Sequence, residues 1–165
     1  MLNITGYTPL QSATGLFWIN ITMLISYFIW GYILPKISEY GISSIKLIKL
    51  GLPISYFSLF LIIYFGNNAG AFLFTLYIMT SIVISLTQPA IALNFSKNLA
   101  GKSLTSFNVF LFSGTFFIQW GIGLVIDLCN NNGFDILSSY RISFSVFLIL
   151  CVLSCLLYTS PSPRD

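Results

Sequence analysis

Between residues 104 and 126 the chain runs without a single Asp, Glu, Lys or Arg. A helix needs about 20 mostly apolar residues to cross the hydrocarbon of a bilayer, and this run reaches that length. Four more stretches come near it: 14–34, 47–65, 69–93 and 139–154. The only charges inside them are Lys49, near the start of the second, and Arg141, near the start of the last. Lysines at a membrane edge can extend their stems and keep the ammonium among the headgroups, so Lys49 does not remove the second stretch. Only 7% of the 165 residues are charged, against about 25% for a soluble domain. A surface drawn from so few charges would not stay in water. An all-α integral membrane protein with five transmembrane helices is the expectation. Barrel strands would show alternating segments of about 10 residues, and these runs are long and apolar on every face.

The composition also removes several functions. There is no histidine, and Cys129, Cys151 and Cys155 form no CxxC pair, so zinc and thiol-redox chemistry have no support. No mid-membrane position supplies a His, Asp or Glu for general acid–base work, so the sequence offers no catalytic residue, metal ligand or cofactor site. A net charge of +3, scattered along the chain, gives no footprint for nucleic acid. Helix breaks are expected at Pro35, at the Gly66-Asn67-Asn68 turn, at Gly101 and across 130–133, with residues 1–13 as a connecting loop. These breaks put Lys36, Lys46, Lys49, Lys97 and Lys102, with Glu39, on one side of the membrane. Arg141, Asp127 and Asp135 fall on the other. The positive-inside rule turns the lysine side to the cytoplasm, with the N-terminus outside and the C-terminus inside.

Polar residues within the apolar runs are the candidate site. On helical spacing Asn108, Thr115 and Gln119 share one face. An unpartnered amide in hydrocarbon costs several kcal/mol, so that face must meet a neighbouring helix or a water-filled cavity. Tyr77, Ser81, Ser85 and Gln88 form a second stripe, followed by Pro89, which should kink its helix. The serines are expected to bond back to their own helix, leaving Tyr77 and Gln88 for a cavity. Asn20 and Tyr27 share a face of the first helix. Trp18 and Trp30, near its ends, read as interfacial anchors, while Trp120 divides between packing and substrate contact. Gly114, Gly121 and Gly123 read as positions where helices cross closely, and Asp127 as a cap at its helix exit.

The stretch TQPAIALNFSKNLAGKSLTSFNVFLFSGTFFIQWGIGLVID resembles the penultimate two helices of bacterial major facilitator superfamily transporters. Gly101, Lys102 and Ser103 match a G-[RK]-[AS] loop form, and Asn108 matches a mid-membrane Asn. Gln119, Trp120, Gly121, Gly123 and Asp127 match Q-W-G-x-G with a terminal Asp. Upstream, GYILPKISEYGI resembles the short cytoplasmic loop motif G-x-x-x-D-[RK]-x-G. Gly31 and Lys36 fit that motif, but Pro35 replaces its Asp, which puts the motif's usual charge relay in doubt. YRISFSVFLIL resembles the start of the last helix. The resemblance implies helices eight to twelve of a twelve-helix secondary transporter of the bacterial inner membrane. Its partners would be the bilayer, a small-molecule substrate and a missing N-terminal half. It also implies a cavity role for the Asn108 face. A non-transporting polytopic subunit is the alternative on residues alone. The ending CLLYTSPSPRD matches, residue for residue, the in-frame translation of a transposase-type sequencing adaptor, so residues 155–165 are expected to be an artefact.

Overall fold

The computed structural model describes residues 6–159. Among them every regular element is helical: α1 (Pro9–Glu39), α2 (Ser44–Phe65), a 3-10 turn (Gly66–Asn68), α3 (Ala71–Ser81), a 3-10 segment (Ile82–Leu86), α4 (Thr87–Asn94), α5 (Lys97–Asn131) and α6 (Ile136–Thr159). With α3, the 3-10 segment and α4 taken as one broken span, five helices are long and apolar enough to cross a membrane.

The helix ends correct the sequence expectations. The first helix starts at Pro9, inside the stretch expected to be a loop, because Thr8 builds a cap there. The Gln11 N–H donates to Thr8 Oγ1 at 3.3 Å and the Thr8 N–H to Gln11 Oε1 at 2.9 Å, which satisfies two otherwise orphaned donors. Pro35 does not end α1. Proline withholds one hydrogen bond from the carbonyl four residues back, a loss that membrane helices tolerate. The stop comes at Gly41, with φ +77°. There the Gly41 N–H reaches the Ser38 carbonyl at 3.0 Å and the Ile42 N–H reaches Ile37 at 3.4 Å, closing the last turn through a left-handed residue. Gly133, with φ +85°, ends α5 in the same way, with bonds of 3.0 Å to Asn130 and, from Phe134, 3.1 Å to Cys129. Gly101 is no break either. It lies within α5, which starts at Lys97. At the other end, α6 continues beyond Ser154 to Thr159, and residues 160–165 lie outside the described residues.

α2 is the hub. It packs against α3, the 3-10 segment, α4 and α6, while α1 leans on α3 and α5 on α4 and α6. The buried apolar core is small and includes Ile62, Ile82, Val83 and Leu86. The outer faces leave Phe28, Phe72, Phe110 and Leu157 largely exposed, an apolar surface suited to a lipid environment. Several contacts between helices are made by small polar residues. Ser55 Oγ and Ser81 Oγ lie 2.7 Å apart, Ser139 donates to Asn130 Oδ1 at 2.8 Å and Ser143 to the Ile122 carbonyl at 3.1 Å. Small side chains let backbones approach, and the hydroxyls bond across the gap.

The two ends differ in charge. At one end Tyr7 OH accepts from the Ala71 N–H at 3.4 Å, and Arg141 Nη2 donates to the Tyr64 carbonyl at 3.4 Å, tying α6 to the α2–α3 turn. Asp127, Asp135 and Arg141 belong to this end. The opposite end, formed by the α1–α2 and α4–α5 connections, carries Lys36, Lys46, Lys49, Lys97 and Lys102 with Glu39.

Candidate functional site

The third span breaks upstream of Pro89. Proline offers no N–H to the Ser85 carbonyl and its ring crowds that oxygen. The chain responds by tightening into the 3-10 segment Ile82–Leu86, after which the Thr87 N–H bonds to the Ile84 and Ser85 carbonyls. A 3-10 helix turns about 120° per residue where an α-helix turns about 100°. Five such residues add about 100° of rotation between α3 and α4.

That rotation shifts the phase of the polar stripe along the span. Tyr77, on α3, is half-buried. Gln88, on α4, lines a cavity of about 200 Å³ with Tyr27 of α1 and Phe107 and Leu111 of α5, and Tyr77 is not among its walls. Ser81 and Ser85 line the same cavity. Both bond back, Ser81 Oγ to the Tyr77 carbonyl and Ser85 Oγ to the Ile82 carbonyl, each at 2.7 Å. The cavity thus offers an amide, a phenol and hydroxyls against apolar walls, with no fixed charge.

The remaining sequence candidates lie elsewhere. Asn20 is exposed on α1 and returns its Nδ2 to the Leu16 carbonyl at 2.7 Å. Thr115 does the same to Leu111 at 2.8 Å. Thr115, Gln119 and Trp120 are exposed on α5, and Asn108 is half-exposed. Among the described residues the close crossings expected at Gly114, Gly121 and Gly123 are not made: a Cβ at each would meet nothing within 4 Å. The glycine that does sit in a tight crossing is Gly51, where a Cβ would lie 2.7 Å from Val83 Cγ1. The four residues assigned to loop motifs, Gly31, Lys36, Gly101 and Lys102, all fall inside helices. Lys36 Nζ donates to Tyr32 OH at 2.8 Å and lies 4.2 Å from the ring centroid.

A larger cavity, about 430 Å³, lies between α2, α4 and α6 and is lined by Ile48, Lys49, Leu52, Tyr56, Ile91 and Asn94, among others. No local sequence signal marks it. Lys49 and Tyr56 share a face of α2, but nothing local says that α4 and α6 close over them. Among the described residues no three His, Cys, Asp or Glu side chains gather as a metal site. At the acidic end, the Ser138 hydroxyl and the Ser138 N–H, 3.1 Å from Asp135 Oδ2, hold that carboxyl below the usual carboxylate range. Compared with protein-family models, curated proteins and solved structures, the chain matches none.

Proposed function

We propose that the chain is part of a secondary transporter of the major facilitator type, moving a small neutral or zwitterionic molecule across the cytoplasmic membrane by alternating access. What supports this most is the broken third span beside the cavity of Tyr27, Ser81, Ser85 and Gln88. Irregular backbone at membrane depth is tolerated where it lines a cavity or is buried in protein, and transporters build midplane substrate sites from such discontinuous helices. The uncharged lining suits a ligand that makes hydrogen bonds and carries no net charge. The exposed Asn108–Thr115–Gln119 face of α5 is the natural wall for further helices, those of an N-terminal half, to complete the pathway. The lysine-rich end lies in the cytoplasm on the positive-inside rule.

The test is uptake by the full-length protein in proteoliposomes, screened against neutral and zwitterionic amphipathic solutes. Gln88→Leu and Tyr27→Phe should each lower uptake of the transported solute by about two- to tenfold, the worth of one hydrogen bond, with expression and folding unchanged. A folded protein that moves none of the panel, or whose uptake ignores both substitutions, overturns the proposal. The present chain alone should transport nothing, since alternating access needs a second half to rock against.

A further inference from the structure

The larger cavity is built by α2 and α4, with Ser154 and Cys155 of α6 on its remaining side; it is lined by no residue of α5 and adjoins the cavity beside the helix break at Thr87. Because Cys155 falls in the ending expected to be adaptor-derived, only the α2 and α4 walls define the slot. Its polarity runs along one axis. Lys49, in the second turn of α2, and Asn94, the last residue of α4, stand at the lysine-rich end. Leu52, Tyr56 and Ile91 line the deeper part. Tyr56 lies seven residues beyond Lys49, about 10 Å along the helix. The volume, about 430 Å³, falls in the range of ordinary ligand pockets. A cationic mouth above an apolar slot matches a molecule with an anionic head and a hydrocarbon tail.

We propose that this cavity holds one anionic phospholipid from the leaflet at the lysine-rich end, with its phosphate at Lys49 and an acyl chain along Leu52, Tyr56 and Ile91. Charge complementarity selects the occupant. Five lysines and one glutamate gather at that end, and basic pockets between transmembrane helices bind anionic headgroups. Asn94 refines the choice. Its Nδ2 is engaged with the Ala90 carbonyl at 2.8 Å, so its Oδ1 remains to accept from a headgroup hydroxyl such as that of phosphatidylglycerol. A neutral choline headgroup offers neither the net charge nor the hydroxyl.

Native mass spectrometry of the whole protein, purified from mixed phosphatidylcholine–phosphatidylglycerol bilayers, tests this. One phosphatidylglycerol should survive delipidation in preference to phosphatidylcholine. Lys49→Gln should reduce its retention about fivefold, the worth of one interfacial lysine. Ile91→Trp, which fills the slot and keeps the charge, should abolish retention. Leu52→Phe serves as a second filler if Ile91→Trp does not elute as a monodisperse helical protein. Equal retention of the two lipids, or retention unchanged in a folded filler variant, overturns the proposal. Displacement by soluble glycerol phosphate also overturns it, because then the head binds without the tail.

Discussion

Replacing Gly51 by alanine puts a methyl group 2.7 Å from Val83 Cγ1, 3.0 Å from Cγ2 and 3.1 Å from Cβ. Rotating the valine moves the two γ-carbons but not its β-carbon, which the backbone holds. Val83 is only 4% exposed, so it has no free space to enter. The crossing of α2 with the 3-10 segment must therefore widen by a few tenths of an ångström. Overpacking of this kind costs about 1–3 kcal/mol, while alanine in place of glycine returns up to about 1 kcal/mol of helix propensity. The net expectation is a loss of about 1 kcal/mol for Gly51→Ala, rising to about 3 kcal/mol for Gly51→Val, where the extra methyl groups bring more volume and less propensity. Unfolding in mixed micelles titrated with a denaturing detergent would measure both. The mechanism also requires coupling: Val83→Ala removes the γ-carbons at 2.7 and 3.0 Å and leaves only the β-carbon at 3.1 Å, so the Gly51→Ala/Val83→Ala pair should be less destabilised than the sum of its singles by about 1 kcal/mol. Strict additivity, or a Gly51→Ala variant more stable than the parent, would refute the crowding described between these two residues.

Ser55→Ala should cost about 0.6 kcal/mol in the same titration, the usual worth of one interhelical hydrogen bond in lipid, because Ser81 keeps its bond to the Tyr77 carbonyl. Asp135 has its folded pKa depressed by Ser138. Its contribution to stability is therefore present above the unfolded carboxylate pKa and lost as pH falls through the lower folded one; Ser138→Ala should flatten that acid limb, and an unchanged pH profile would contradict it. For topology, a cysteine placed at Ser43 or Ser103 should resist a membrane-impermeant reagent added outside cells, while one at Asn131 should react. The reverse pattern would mean that the lysine count misassigned the two sides.

Apolar length made the number and rough placement of the helices legible in the sequence, since nothing else in the chain competes with runs of that kind. Helix ends were less so. Pro35 and Gly101 look like stops, yet a stop needs a residue able to take a left-handed conformation and partners for the last carbonyls, and Gly41 and Gly133 supply both. Within the candidate site, Tyr27 and Gln88 were named from helical spacing, and the fold brings them to one cavity. A uniform α-helix would keep Tyr77 on the face of Gln88. The extra turning of the 3-10 segment breaks that phase. Gly51 and the cavity at Lys49 depend on residues distant in sequence, which no local period reports.

The length of α5 has a consequence for how the molecule sits in a bilayer. Its 35 residues make a rod of about 52 Å, whereas a membrane with its headgroups measures about 40–45 Å. Held wholly within those bounds, the rod would lean about 35° from the normal, near the upper limit for transmembrane helices. At the usual lean of about 20°, close to one turn stands clear of the headgroups. Its apolar middle, 104–126, fixes where the hydrocarbon falls, and that leaves the overhang largely on the side of Lys97 and Lys102. Polarised infrared dichroism of oriented bilayers would read the lean directly. In a bilayer, whichever share is taken by tilt, the α4–α5 connection would reach the outer limit of the headgroup layer, with Lys97 and Lys102 within reach of the lipid phosphates.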